Sequence, residues 1–450
     1  MTRREALSHP LAIVGVLITT VSAVLFIALV IAALIGLLTN PYAGLVVFVV
    51  LPAFFLMGLI LIPVGVRLRR REALRHPEAV VDWPVVDFRQ IGVRRTALLI
   101  TALTAANIII VLLAGYGSLH WMESPTFCGQ VCHTAMHPQF AAWRNGAHAR
   151  VACATCHIAE GAGGFVHAKL SGVRRLAEVS TGSYARPTPP GADMPPGTQA
   201  ETCVGCHKPG RLVDDRLRIF REYADDEANT ETVTVMRMHT GGSSTAPFIH
   251  WHVDPSIRIE YIATDAERQK IPYVKVTEAN GQVREYVAPD TTAPTIRDGS
   301  RRTMDCIDCH NTVGHPIAAT PEQAVDRAIA SHPLSRKLPF ARREGIRLVK
   351  ASYRSQDAAN RAIAEGLRAF YQSRGADSAA LAEAVAAVQD AYGRNVFPDM
   401  KVTFGTYPDN RGHITSDGCF RCHDESHATK DGKTISADCE LCHKQLEDVS

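Results

Sequence analysis

Cys153-Ala154-Thr155-Cys156-His157 is the stretch from which the rest of the chain can be read, because it recurs. Cys203-Val204-Gly205-Cys206-His207, Cys306-Ile307-Asp308-Cys309-His310, Cys419-Phe420-Arg421-Cys422-His423 and Cys439-Glu440-Leu441-Cys442-His443 repeat it. A stretched copy reads Cys128-Gly129-Gln130-Val131-Cys132-His133. Two thiols in Cys-x-x-Cys spacing followed at once by an imidazole attach a c-type haem. The sulfurs form thioethers to the vinyl groups and the histidine binds iron as the proximal ligand. The spacing is fixed because all three groups must reach set points on one rigid macrocycle.

All 12 cysteines of the 450 residues fall in these six units. At this composition chance would supply roughly 0.01 such units. A disulfide framework explains an even cysteine count but not a histidine after each second cysteine. Structural zinc also uses Cys-x-x-Cys knuckles without requiring that histidine, and a thioredoxin-like pair would occur once. The reading is a multihaem cytochrome with six covalently attached haem c groups, numbered here by motif in chain order.

A net charge of +3 gives no reason to expect nucleic acid. Aromatic content is only 7%, so haem is expected to supply much of the apolar bulk of the soluble part, which without it should lack a core. An uncharged apolar run extends from Leu11 to Leu38, a short turn follows at Thr39-Asn40-Pro41, and a second run covers Leu45 to Val66. Each can cross about 30 Å of hydrocarbon as a helix. The first is too long for a cleavable signal peptide and is followed at once by another span. Arg67, Arg69, Arg70 and Arg71 come next, with further arginines at 75, 89, 94 and 95, and a third run spans Thr96 to about Gly117. Arginine excess marks the cytoplasmic side. The N-terminus is therefore placed inside and everything after His120 outside, where c-type haem is attached. Localisation in a bacterial cytoplasmic (inner) membrane, with a periplasmic or extracytoplasmic haem domain, follows.

The first haem motif comes directly after the third span and is followed by Met136 and His137; His148 then precedes the second motif. Over about residues 96–210 this arrangement resembles the NapC/NirT/NrfH family of membrane-anchored multihaem quinol dehydrogenases. The resemblance implies that haem 1 lies beside the membrane, oxidises quinol or menaquinol, and takes a methionine shortly after its motif as an axial ligand. Met136 stands at the matching place, three residues after His133 rather than two, and the motif has one extra residue between its cysteines; His133 or His137 are the alternatives for that iron. The family's quinol pocket also implies a lysine, matched by Lys169, and an acid at a position held here by Arg175, with Glu160 and Glu178 as replacements.

A Pro/Gly-rich connector, Arg186 to Gly197, leads to the third motif, and residues 211–300 carry no cysteine. Period-two alternation at Val233/Val235 and Ile257/Ile259/Tyr261, and two runs flanking Asn280-Gly281, point to a small antiparallel element. His250 and His252, taken as extended, would offer one ring on each face. Thr320-Pro321-Glu322-Gln323 reads as a capped helix start. Amphipathic periodicity predicts further helices over about 357–374 and 378–392, ending at Gly375 and Gly393.

Candidate distal ligands are His148, His250, His252, His315, His413 and His427, with Met136; His120, His137, His167 and His239 stand in reserve. The organisation expected is a two-helix membrane hairpin (1–66), an Arg-rich cytoplasmic loop (67–95), a third membrane helix (96–118), a region carrying haems 1–3 (119–210), a strand-rich insertion (211–300), a haem 4 segment (301–318), a helical segment (319–396) and haems 5–6 (397–450). The fold class is membrane-anchored and mainly α, with little regular structure around the haems. Enough ligands exist to close most irons to substrate, so the expected function is electron transfer from the membrane quinol pool to a soluble or outer multihaem cytochrome or reductase in anaerobic respiration. Two other classes compete: a terminal reductase of a nitrogen oxyanion or hydroxylamine, and a non-catalytic wiring subunit. Homo- and hetero-oligomerisation both stay open.

Overall fold

The computed structural model describes all residues except 1–8, 35–36, 38–42, 44–45, 76–88, 132, 159–160, 190–197, 209–214, 242–247 and 450. The Asn40-Pro41 turn, Glu160 and most of the Pro/Gly connector therefore lie outside the described residues. The chain forms two compact units, residues 1–131 and 132–450.

The first unit holds three helices long and apolar enough to cross a membrane: α1 (Pro10–Leu34), α2 (Leu51–Arg75) and α3 (Ile91–Met122). α2 runs on through Arg67–Arg75, so the arginines extend the second span as helix. Lipid removes the hydrophobic drive between helices, so close packing of small residues must replace it. Ala12, Thr19 and Ser22 of α1 are buried. Ala12 faces Gly65 and Thr19 faces Gly58 of α2; a Cβ on Gly58 would stand 2.8 Å from the Gly15 carbonyl oxygen. Leu98 and Leu112 on α3 are 70% and 65% exposed, as side chains facing hydrocarbon must be. At the end of α3 the Trp121 and Phe127 rings meet edge to face, 4.7 Å apart, immediately before Cys128.

The second unit begins with α4 (His133–Arg144), α5 (Cys153–His157), α6 (Gly161–Thr181) and α7 (Thr198–Cys206). Strands β1 (Arg216–Tyr223) and β2 (Glu231–Met238) pair antiparallel, and β7 (His443–Val449) adds to the other side of β2. A four-stranded sheet runs in the order β5-β4-β3-β6, from β3 (Arg258–Ala263), β4 (Tyr273–Thr277), β5 (Val283–Val287) and β6 (Ser300–Thr303). Its β4–β5 hairpin turns at Gly281, whose φ of +81° only glycine adopts cheaply. The strand-rich insertion expected over 211–300 is thus not self-contained. β7 comes from the C-terminus and β6 extends to Thr303, because each sheet completes its hydrogen bonding with a strand that follows a haem motif or leads into one.

Between the two halves of the haem region lie α10 (Pro321–Ser331), α11 (Ala341–Val349), α12 (Gln356–Tyr371) and α13 (Ser378–Gly393), preceded by α8 (Ala293–Asp298) and α9 (Cys306–Cys309). The Thr320 hydroxyl accepts from the Gln323 amide and Pro321 opens α10. Gly375 takes φ +63° after α12, whereas Gly393 is the last residue of α13 and Arg394 caps it. α11 has no counterpart in the sequence reading, being a short run broken by three charges in Arg342-Arg343-Glu344. Val325, Ala359, Ile363, Leu367 and Tyr392 meet in one core at 0–1% exposure. Each large apolar side chain in it contributes about 1.5–3 kcal/mol. This segment therefore has a core without any haem motif, which corrects the expectation of a wholly cofactor-dependent soluble part: its apolar stripes bury one another.

Candidate haem centres

Each Cys-x-x-Cys pair sits on one turn of helix, which carries both sulfurs to the same side. α5 holds motif 2, α7 ends in motif 3 and α9 holds motif 4. Tight turns at Gly418–Arg421 and Cys439–Leu441 hold motifs 5 and 6. The 11 described cysteines are all free of disulfides, and among the described residues no group of three or more His, Cys, Asp or Glu is arranged to hold a metal ion by itself.

What faces each motif histidine from motif 2 to motif 6 is a second imidazole. His157 faces His315 with ring centroids 6.0 Å apart, His207 faces His148 at 6.1 Å, and His310 faces His250 at 6.3 Å. His423 faces His252 at 5.7 Å and His443 faces His413 at 6.1 Å. Two imidazole nitrogens, each about 2.0 Å from one metal ion, hold their ring centroids about 6.3 Å apart. The gaps are those of an iron with a ring on either face, and the residues fit the group that the motifs imply.

The rings are also oriented for it. A carbonyl can only accept, so a histidine nitrogen bonded to one carries the proton and leaves the other nitrogen for metal. His250 Nδ1 donates to the Thr240 carbonyl (2.5 Å), His252 Nδ1 to Ile249 (2.8 Å) and His315 Nδ1 to Gln139 (2.9 Å). His423 Nδ1 donates to Ser436 (2.7 Å) and His148 Nδ1 to Val313, more weakly, at 3.4 Å. Burial lowers the pKa of His252, His310 and His315, keeping those rings neutral, the form that binds iron. The ring planes differ: 12° for His250/His310 and 24° for His413/His443, 39° for His157/His315, 70° for His252/His423 and 79° for His148/His207.

Several expectations change. Ile249–Val253 is a 3-10 turn, not a strand. Its two imidazoles still diverge, His250 toward His310 and His252 toward His423, so one turn serves two motifs. His427 is not arranged as a ligand: it is 3% exposed, its Nδ1 bonds Asp424 (2.9 Å) and its Nε2 the Ile271 carbonyl (2.7 Å). Both nitrogens are taken, because the motif 5 loop must be pinned to the sheet and a buried polar ring must be satisfied. Among the reserves, His239 bonds Asp215 and stacks on Phe248, His137 packs edge-on against Phe397, and His120 stacks on Tyr116 within α3. Met136 is half-buried on α4 and Lys169 half-buried on α6. Cys132 and the His133 side chain lie outside the described residues.

The sequence reading missed the groups that brace the motifs. Asp308, inside motif 4 and 2% exposed, accepts from Tyr261 Oη (2.6 Å) and Arg268 Nη1 (2.7 Å). Arg421, inside motif 5, donates through Nη2 to the Asp308 carbonyl (2.9 Å). The Phe420 ring stacks on His413 at 4.4 Å. These residues occupy the variable places of Cys-x-x-Cys, where nothing in the pattern distinguishes them.

A family model described as the NapC/NirT cytochrome c family, N-terminal region, matches residues 92–188. The cytochrome c-type protein ImcH of Geobacter sulfurreducens is 37% identical over 463 aligned residues, covering 99% of this chain and 90% of that protein. No solved structure matches the chain.

Proposed function

The chain belongs to the NapC/NirT family of membrane-anchored c-type cytochromes, which bind haem c covalently, and on that premise we propose that it oxidises membrane quinol and relays the electrons through six haems to an extracytoplasmic redox partner. Three helices anchor it in the membrane. The observation that carries the reading is the set of five facing imidazole pairs, each about 6 Å across. A ring on both faces leaves an iron no open position, so these centres suit electron transfer and not substrate chemistry. That ranks the reading above a terminal reductase, which needs an open haem.

Haem iron supplies the one-electron chemistry when bound. The chain's residues do the rest. Motif cysteines hold the macrocycles, and backbone carbonyls fix the distal rings of His148, His250, His252 and His315 by their Nδ1 protons. Quinol becoming quinone releases two electrons and two protons; the electrons go to motif 1, directly after α3, and the protons to water or a basic group at the site. Met136 would hold the iron of that motif, and methionine would favour electron uptake because Met/His iron has the higher potential. Lys169 is assigned to the quinol head group. The arginines at the end of α2 favour an orientation with the N-terminus in the cytoplasm of a bacterial inner membrane and the haem unit outside.

The test is anaerobic mixing of the detergent-purified protein with a menaquinol analogue while following the reduced haem band. Rapid reduction, lost in Met136→Leu or Lys169→Ala, is the expected result. Full reduction by dithionite but none by quinol overturns the assignment and leaves a partner-fed wiring subunit.

A further inference from the structure

The contacts between motifs run in one direction. Motif 2 meets motif 3: α5 packs on α7, and Cys156 lies within electrostatic reach of Cys206. Motif 3 meets motif 4: α7 packs on α9, and the Cys203 and Cys306 thiols are in hydrogen-bonding contact. Motif 4 meets motif 5: Cys309 lies close to Cys419 and Cys422, Arg421 bonds the Asp308 carbonyl at 2.9 Å, and His250 and His252 of one turn serve the two irons. Motif 5 meets motif 6: Cys442 lies close to Cys419, and Phe420 stacks at 4.4 Å on His413, the ring that faces His443. At the other end, the Gln139 carbonyl on α4, the helix that His133 opens, accepts from His315, the ring that faces His157.

We infer that the haems of motifs 2 to 6 stand in one unbranched file in chain order, with the Cys439–His443 centre at its far end. Nothing in a sequence requires this, since a haem's chain neighbour and its nearest haem are independent. It follows here because each of these contacts between motif residues joins a motif to the next one, while His315, from the segment after motif 4, reaches motif 2 as a facing ring. The consequence is a single exit. An electron taken up near motif 1 reduces the ferric centres in turn and leaves at motif 6, where a partner with its own one-electron centre is reduced and the sixth iron returns to ferric. The inference rests on haem attachment at these motifs and not on the identity of the electron donor.

Cryo-electron microscopy of the full chain in detergent tests it directly. Each iron of motifs 3 to 5 should lie nearest to the irons of the preceding and following motifs. A motif 6 iron nearest to that of motif 2 or 3, or one iron with three close neighbours, overturns the file. Intact mass of the same sample reports the haem count, so a missing haem is recognised as a failure of attachment, which also ends the file. A second measurement uses His413→Met. Methionine raises the potential of the sixth centre, so mild reduction makes it diamagnetic along with the methionine-held centre of motif 1, at the opposite end of the file. The electron paramagnetic resonance signal removed by His252→Met, that of the fifth centre, should then relax severalfold more slowly, while the third centre's signal stays unchanged. An equal change at both, or none at the fifth, refutes the order.

Discussion

The imidazoles of His250 and His310 face each other across 6.3 Å with their planes only 12° apart, while His252, two residues on, meets His423 at 70°. Ring planes set the splitting of the iron d orbitals: aligned rings lift their degeneracy, crossed rings preserve it. Centres 4 and 6 should therefore give ordinary rhombic low-spin signals, and centres 3 and 5 signals of large maximal g. His252→Met should delete one of the large-g signals and His250→Met one of the rhombic ones. A protein with rhombic signals alone contradicts the ring geometry.

Removing a distal ring should open one iron and no other. His315→Ala leaves the second centre five-coordinate, so a high-spin ferric band should appear in about one haem's share of the spectrum and bind added imidazole. Weakening the support instead of the ligand is milder, as loss of an outer hydrogen bond to a ligating histidine costs about 10–100-fold in metal affinity. If His315→Ala stays wholly low-spin, another residue ligates that iron.

His427 gives the opposite result. It holds Asp424 and the Ile271 carbonyl while 3% exposed, so His427→Ala should leave every haem signal in place and destabilise the protein by about 1–3 kcal/mol through unsatisfied buried groups. Thermal unfolding and electron paramagnetic resonance on one sample decide it. A new high-spin signal would restore His427 to the ligands.

Asp308 receives Tyr261 and Arg268 inside motif 4. Its charge is buried with a cation at 2.7 Å, and breaking such a pair by removing one partner costs about 3–5 kcal/mol. Asp308→Ala should thus lower haem loading at motifs 4 and 5 together, since Arg421 ties the two loops. Loss confined to motif 4, counted by mass, would show that the tie carries no structural load.

The membrane hairpin offers a steric test. Gly58→Leu puts a branched side chain where even a Cβ would stand 2.8 Å from the Gly15 carbonyl oxygen, so α1 and α2 must separate. Lower detergent stability with normal haem content is expected. Gly115→Leu on α3, where a Cβ meets nothing within 4 Å, is the control.

The haem-attachment motifs, the three spans, the capped start at Thr320 and the hairpin at Asn280-Gly281 were legible because each is written in local spacing. Thioether chemistry needs Cys-x-x-Cys-His, a bilayer needs about 20 apolar residues, and a tight turn needs a residue that tolerates positive φ. The histidines were legible as a pool of candidates only. His252 and His427 look alike in the chain; one faces a motif ring and the other is a buried brace.

By itself, then, the sequence determined the cofactor chemistry, the membrane anchor and the number of attachment motifs, all short-range matters of covalent reach and hydrophobic length. Only the tertiary structure decided which imidazole faces which motif, at what angle, and in what order the motifs touch. Those depend on contacts such as His315 with Gln139, 176 residues apart, and Arg421 with Asp308, 113 apart. No local spacing encodes such pairs, because the chain can bring any two loops together and only packing and hydrogen-bond satisfaction choose between them.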